Sequence, residues 1–115
     1  MNPGRYNITV YNGTTFSLSP SWQINNVAVN LTGYTADMQV RDVSNNLIVE
    51  LSTANGKAVI TPATGTTTLT LTATQTSAAN LPAGNYTYDL NLTSPGGFVY
   101  KILQGAFVVN ASVVQ

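Results

Sequence analysis

The sequence predicts an all-β sandwich, and three observations carry that reading. Apolar and polar residues alternate at period two along most of the chain, with β-branched and aromatic types enriched. Turn-forming clusters such as Asn12-Gly13, Ser44-Asn45-Asn46, Asn55-Gly56 and Ser94-Pro95-Gly96-Gly97 interrupt the alternation at the spacing of short strands. No segment holds a helical period over about 11 residues. The 115 residues suffice for one compact domain, 1–115, of about 7–9 antiparallel strands.

Each element follows from its own pattern. From the N-terminus, Tyr6, Ile8 and Val10 take the inward parity, with Asn7 and Thr9 outward. After Asn12-Gly13, Phe16 and Leu18 resume the inward set, and Trp22 and Ile24 keep that parity beyond Pro20. A proline removes a ladder donor, so an edge, bulge or strand switch is expected there, and Asn25-Asn26 ends the strand. Val29–Tyr34 reads as a short crossover with one tight helical turn. Ala36, Met38 and Val40 then face in, as do Leu47, Val49 and Leu51 after the Ser44–Asn46 turn. Asn55-Gly56 is a hairpin signal, because both central positions of a type I′ turn need positive φ.

The second half repeats the logic. Val59–Thr61 is short and closed by Pro62, and Thr66–Thr72 alternates threonine with Leu69 and Leu71, giving a strand with a hydroxylated outer face. Residues 73–81 are alanine-rich and suit a single helical turn. Tyr86, Tyr88, Leu90 and Leu92 form the next inward set. The last strand runs from Phe98 to about Val109, with Gly105 expected at a bulge. Leu81-Pro82-Ala83-Gly84-Asn85-Tyr86-Thr87-Tyr88 sits where the tyrosine corner of an immunoglobulin-like sandwich belongs, with the hydroxyl of Tyr86 or Tyr88 capping the corner. The plainer reading makes both of them core aromatics.

Composition removes whole classes of chemistry. The chain has no Cys and no His, hence no disulfide, thiolate site or imidazole base. Lys and Arg number 4, too few for the phosphate contacts that dominate nucleic-acid affinity. No apolar run is long enough to span a membrane, and Met1–Tyr6 lacks the apolar stretch of a secretory signal. No cofactor is expected. Asp37 and Asp89 share the outward parity of strands that neighbour each other in an immunoglobulin-like order. Two carboxylates on one face suit glycoside hydrolysis, but the reading as solubilising charges balanced by Arg41 and Lys101 is stronger. Four scattered acids make a poor calcium cage. Six Asn-x-Ser/Thr sequons, at Asn7, Asn12, Asn30, Asn85, Asn91 and Asn110, follow from the abundance of 17 Thr and 13 Asn.

The surface is the most informative feature. Only 7% of residues are charged and the net charge is zero, so outward strand positions are largely hydroxyls and amides. A free monomer keeps charges on exposed β edges to block pairing; a chain without them suits packing against copies of itself or a larger body. The candidate interaction surface is Tyr11 and Tyr34 with Thr66, Thr68, Thr70 and Thr72, together with the arms Met1–Arg5 and Ala111–Gln115. Exposed tyrosine rings would also suit a glycan.

Leu31-Thr32-Gly33-Tyr34-Thr35-Ala36-Asp37-Met38-Gln39-Val40-Arg41-Asp42, and Leu81-Pro82-Ala83-Gly84-Asn85-Tyr86-Thr87-Tyr88-Asp89-Leu90 with its continuation to Gly105–Val109, resemble small tailed-bacteriophage virion domains. The type is the N-terminal domain of the baseplate upper protein, and the resemblance covers most of the chain. It implies a non-enzymatic immunoglobulin-like sandwich that docks a tail fibre or receptor-binding module, located in the virion after assembly in the host cytoplasm. Its implied partners are other tail, fibre or capsid proteins and copies of the chain itself. The chain lacks the attached coiled coil of that type, which leaves capsid decoration as an alternative and a host-surface glycan as a further one. The resemblance carries over no active-site residues.

Overall fold

The computed structural model describes residues 4–111, which fold as two β-sheets packed face to face, with a separate two-stranded hairpin. The strands are β1 (Gly4–Arg5), β2 (Ile8–Tyr11), β3 (Phe16–Leu18), β4 (Gln23–Ile24), β5 (Val27–Ala28), β6 (Thr35–Arg41), β7 (Leu47–Ser52), β8 (Ala58–Thr61), β9 (Thr66–Leu71), β10 (Gly84–Thr93) and β11 (Val99–Asn110). The larger sheet has the order β1-β11-β10-β6-β7, with β2 also on β11; the smaller is β3-β9-β8. That places β3, β9 and β8 as strands B, E and D of an immunoglobulin-like sandwich, facing C′, C, F and G. Both N-terminal strands run parallel to β11, a departure from the antiparallel expectation.

The inward set fills one core. Met38, Val40, Leu90, Leu92, Phe107 and Val109 of the larger sheet meet Phe16, Leu69 and Leu71 of the smaller. Phe16 and Phe107 meet edge to face across the sandwich, 5.8 Å between centroids. Trp22 plugs one end of the core, 5.2 Å from the Tyr100 ring and 6.4 Å from Tyr34.

Several local expectations change. Tyr6 and Ile24 face solvent, 51% and 50% exposed: Tyr6 lies in the link between β1 and β2, and Ile24 stands on the β4–β5 hairpin, which is separate from the two packed sheets. Asn55-Gly56 makes no hairpin: β7 belongs to the larger sheet and β8 to the smaller, so this loop carries the chain between layers. The two-residue turn with positive φ at both positions is Asn25-Asn26, φ 52° and 65°, joining β4 to β5. Asparagine tolerates that conformation almost as glycine does. In β11 the extra residue is Ile102, between the Leu90–Leu103 and Asn91–Lys101 pairs, and Gly105 sits in regular register with Tyr88. Gly105 is glycine for another reason: a Cβ there would lie 2.3 Å from the Tyr6 carbonyl oxygen, so the β1–β2 link could not lie against β11. By contrast, the region 73–81 does hold the single helical turn expected of it, uncontinued into a helix, with Thr76 N bonded to Thr72 O and Leu81 N to Ser77 O.

Candidate interaction surfaces

The two outer faces of the sandwich differ in kind. On the smaller sheet, outward residues of β3, β8 and β9 carry hydroxyls and no charge. Ser19 Oγ donates to Thr68 Oγ1 at 3.2 Å, and Ser21 Oγ lies 2.8 Å from Thr66 Oγ1. Thr70 continues the row, opposite Ser17, and Val59 opposite Thr68 is 59% exposed. Thr72 falls outside it: β9 ends at Leu71, and Thr72 binds Gln75 in the following turn through backbone N and side-chain Oγ1. Thr67, between the outward threonines, is buried with the core.

On the larger sheet the charges collect. All of the acidic and basic residues except Asp42 and Lys57 stand on its outer face: Arg5 on β1, Asp37 and Arg41 on β6, Glu50 on β7, Asp89 on β10 and Lys101 on β11. Asp37 and Asp89 do occupy adjacent strands, the latter opposite Gln39. Asp89 pairs with Lys101 at 3.4 Å. Gln39 stands among the others: its Nε2 donates to Asp37 Oδ2 at 3.0 Å and to Glu50 Oε2 at 3.3 Å, while its Oε1 accepts from Arg41 Nη2 at 2.6 Å. Burial and then the hydrogen-bonded Glu50 carboxyl push Asp37 above the usual carboxylate range. Asp42 moves the other way, held down chiefly by the backbone N–H of Asn46 in the β6–β7 turn.

Arg5, Arg41, Asn45, Thr87, Asp89 and Gln104 line an open groove of about 460 Å³ on this face. Among the described residues no cluster of three or more His, Cys, Asp or Glu is arranged to hold a metal.

The tyrosines divide by role. Tyr86 donates its hydroxyl to the Pro82 carbonyl oxygen four residues upstream, at 2.5 Å, the contact that defines a tyrosine corner. Tyr88 is buried and reaches the Tyr6 carbonyl at 2.6 Å; burial, with Tyr6 nearby, pushes its hydroxyl up to about 12. Tyr11 is 53% exposed at the end of β2. Tyr34 does not join it: half-buried against Trp22, it closes the core. Residues 1–3 and 112–115 of the two arms lie outside the described residues.

The sequence reading overlooked two residues. Asn12, read as a turn former and a sequon, is fully buried, and its Nδ2 donates to Thr76 O at 2.8 Å and Leu81 O at 2.7 Å. Asn55 binds backbone on both sides of its loop. The role of Asn12 has no sequence signal, since its partners lie 64 and 69 residues away. That of Asn55 is local, an Asx-type turn in a sequence whose Asn-Gly pair reads instead as a hairpin.

No family model matches the sequence, and no curated protein matches it. Among solved structures the chain is similar to the crystal structure of CopC from Methylosinus trichosporium OB3b, at 15% identity over 90% of this chain and 85% of that one, with a TM-score of 0.49.

Proposed function

We propose that the chain is a non-enzymatic structural protein of a bacteriophage virion, of the tail, baseplate or fibre-attachment region, acting by symmetric packing against copies of itself and neighbouring virion proteins. The observation that carries the packing is the uncharged hydroxyl face of the smaller sheet. Burying a charge carries a large desolvation penalty unless it is paired, whereas the outward residues of these three strands have none, and Lys57, opposite Thr70, stands just beyond β8 at the edge of the face. Its hydroxyls bond one another in part, Ser19 to Thr68 and Ser21 to Thr66, and the remaining O–H donors, such as those of Thr68 and Thr70, are neutral groups that a second surface can accept. Repetition by symmetry then turns weak single contacts into avidity. The virion assignment rests on the resemblance of residues 31–42 and 81–109 to baseplate upper-protein domains. Capsid decoration would use the same face with a different symmetry number.

The test is light scattering coupled to size exclusion from micromolar concentrations upward. A discrete oligomer is expected, and the double variant Thr68→Lys, Thr70→Lys, which sets like charges on the face, returns it to monomer with unchanged circular dichroism. A wild-type chain that is monomeric at every concentration, or an oligomer indifferent to the two lysines, overturns packing through this face.

A further inference from the structure

The groove on the opposite face has an electrostatic oddity. Arg41 stands on the same strand as Asp37 and across from Glu50's row, yet pairs with neither. Gln39 lies between, giving its amide nitrogen to the two carboxylates and its amide oxygen to the guanidinium. The second bond of Arg41, from Nη1 to the Asn45 carbonyl at 3.0 Å, is also to a neutral acceptor. Its position is therefore fixed while its charge is left uncompensated. Arg5, on the other wall, makes no ion pair among the described residues. The one acid in the lining, Asp89, is occupied by Lys101 at 3.4 Å.

The geometry between these walls is regular. Arg5, Gln104, Asp89 and Gln39 lie in one cross-strand row, and Ala106, Thr87 and Arg41 in the next. Three strand spacings separate β1 from β6, about 14 Å, the reach of two or three sugar rings. Small Ala106 and Thr87 form the floor. The Asn7 oxygen is taken by the Ala106 N–H at 3.1 Å, which turns the Asn7 amide nitrogen outward as a donor. With the amides of Asn45 and Gln104 and the Thr87 hydroxyl, the walls present neutral groups that can both donate and accept.

We propose that this groove binds a carboxylated saccharide, its carboxylate held by the Arg41 guanidinium and its hydroxyls, on the rings that cross the groove, by Arg5 on the far wall, the surrounding amides and Thr87. A planar guanidinium held in place by neutral bonds presents the fork that reads a carboxylate in bidentate fashion. The amide and hydroxyl walls match a polyhydroxylated ring, and the open, polar lining offers no deep apolar recess for a peptide side chain. The site goes beyond the packing role, which uses the other sheet, and the two stand or fall separately.

The experiment is an amide-resolved NMR titration of the full chain with a glucuronate-terminated tetrasaccharide and with its carboxyl-reduced counterpart. Saturable shifts are expected at Arg41, Thr87 and Gln104 below about 10 mM ligand, with the reduced sugar at least about tenfold weaker. Arg41→Gln weakens binding by about tenfold or more. Because Arg41 also holds the β6–β7 turn, Arg5→Gln serves as a second variant, and it too lowers affinity while the spectrum of the core stays unchanged. No saturable shift up to about 10 mM overturns the site. So does equal binding of the reduced sugar, or wild-type affinity in both variants. An aspartate-rich hexapeptide binding as tightly as the tetrasaccharide would overturn the saccharide assignment.

Discussion

Asn12 shows how one buried amide can hold two distant pieces of chain together. It follows β2 directly, and its Nδ2 satisfies the carbonyls of Thr76 and Leu81, so the long turn region between β9 and β10 is pinned to the N-terminal edge. Gly13 N and the Thr14 carbonyl bond Thr76 as well, through its carbonyl and hydroxyl respectively. Removing the amide leaves the buried Leu81 carbonyl without a donor, at about 1–3 kcal/mol, while the Thr76 carbonyl keeps the Gly13 N–H; the loss is offset in part because the Asn12 oxygen itself has no partner. Asn12→Ala should therefore lower stability by about 1–2 kcal/mol in urea unfolding. Asn12→Asp should be worse, since a carboxylate would face two carbonyl oxygens. A loss under about 0.5 kcal/mol for both would mean that water replaces the amide.

At the scale of elements, the free edge of β7 is the point at which the sandwich is most open to unwanted pairing. Thr53 N bonds Ala36 O across to β6, so alternation along the strand sends the Ser52 N–H and the Glu50 C=O to the other, unpaired side. Asn55 meets both: its oxygen accepts from Ser52 N at 3.0 Å and its nitrogen donates to Glu50 O at 2.8 Å. A single side chain thus stands in for a neighbouring strand, the protection that charged edges give elsewhere. Asn55→Ala exposes that edge, Leu47-Ile48-Val49-Glu50-Leu51, and should shorten the lag before aggregation, read by light scattering at equal concentration, with a stability loss of only about 1 kcal/mol. Unchanged aggregation with the same stability loss would mean that Asn55 only shapes the loop. The same loop marks what the sequence could and could not convey. Alternation identified the inward sets Ala36-Met38-Val40 and Tyr88-Leu90-Leu92 because a half-buried strand writes its burial into every second residue. Asn55-Gly56 and Asn25-Asn26 are both turn sequences, and which of them closes a hairpin depends on the sheet each flanking strand joins. The groove was less legible still. Asp37, Asp89, Arg41 and Lys101 were recognised as outward charges, but the neutral role of Gln39 and the approach of Arg5 to Gln104 come only from cross-strand register.

Across the whole molecule, sparse charge is largely sorted: all the ions but Asp42 and Lys57 on one face, hydroxyls on the other with Lys57 at its edge, and zero net charge. The sorting has a cost, since Asp37 and Glu50 share one amide donor and Asp37 Oδ1 is buried without a partner. Asp37 titrates above its unfolded value of 3.8, chiefly through burial and then through Glu50. The native chain therefore holds more protons than the unfolded chain between those two values. The contribution of Asp37 is fully favourable in acid and is lost as pH rises through its folded value. Asp42, held below 3.8 by bonds from Asn46 and Ser44, has the opposite sign, favourable at neutral pH and lost as pH falls through its folded value. Asp37→Asn isolates the first term. An asparagine oxygen can still accept from Gln39, and its amide nitrogen can donate to Glu50, so the variant relieves the charge conflict without breaking the row. Because the site is partly open to solvent, screening limits the gain at pH 7 to about 0.5 kcal/mol, or about 2–3 °C in Tm. At about pH 3, where wild-type Asp37 is already protonated in both states, the gain should vanish. Thermal unfolding of both proteins at the two pH values reads this directly. An equal gain at both would assign the effect to packing, and a loss at pH 7 would mean that the Asp37 carboxylate stabilises the face it stands on.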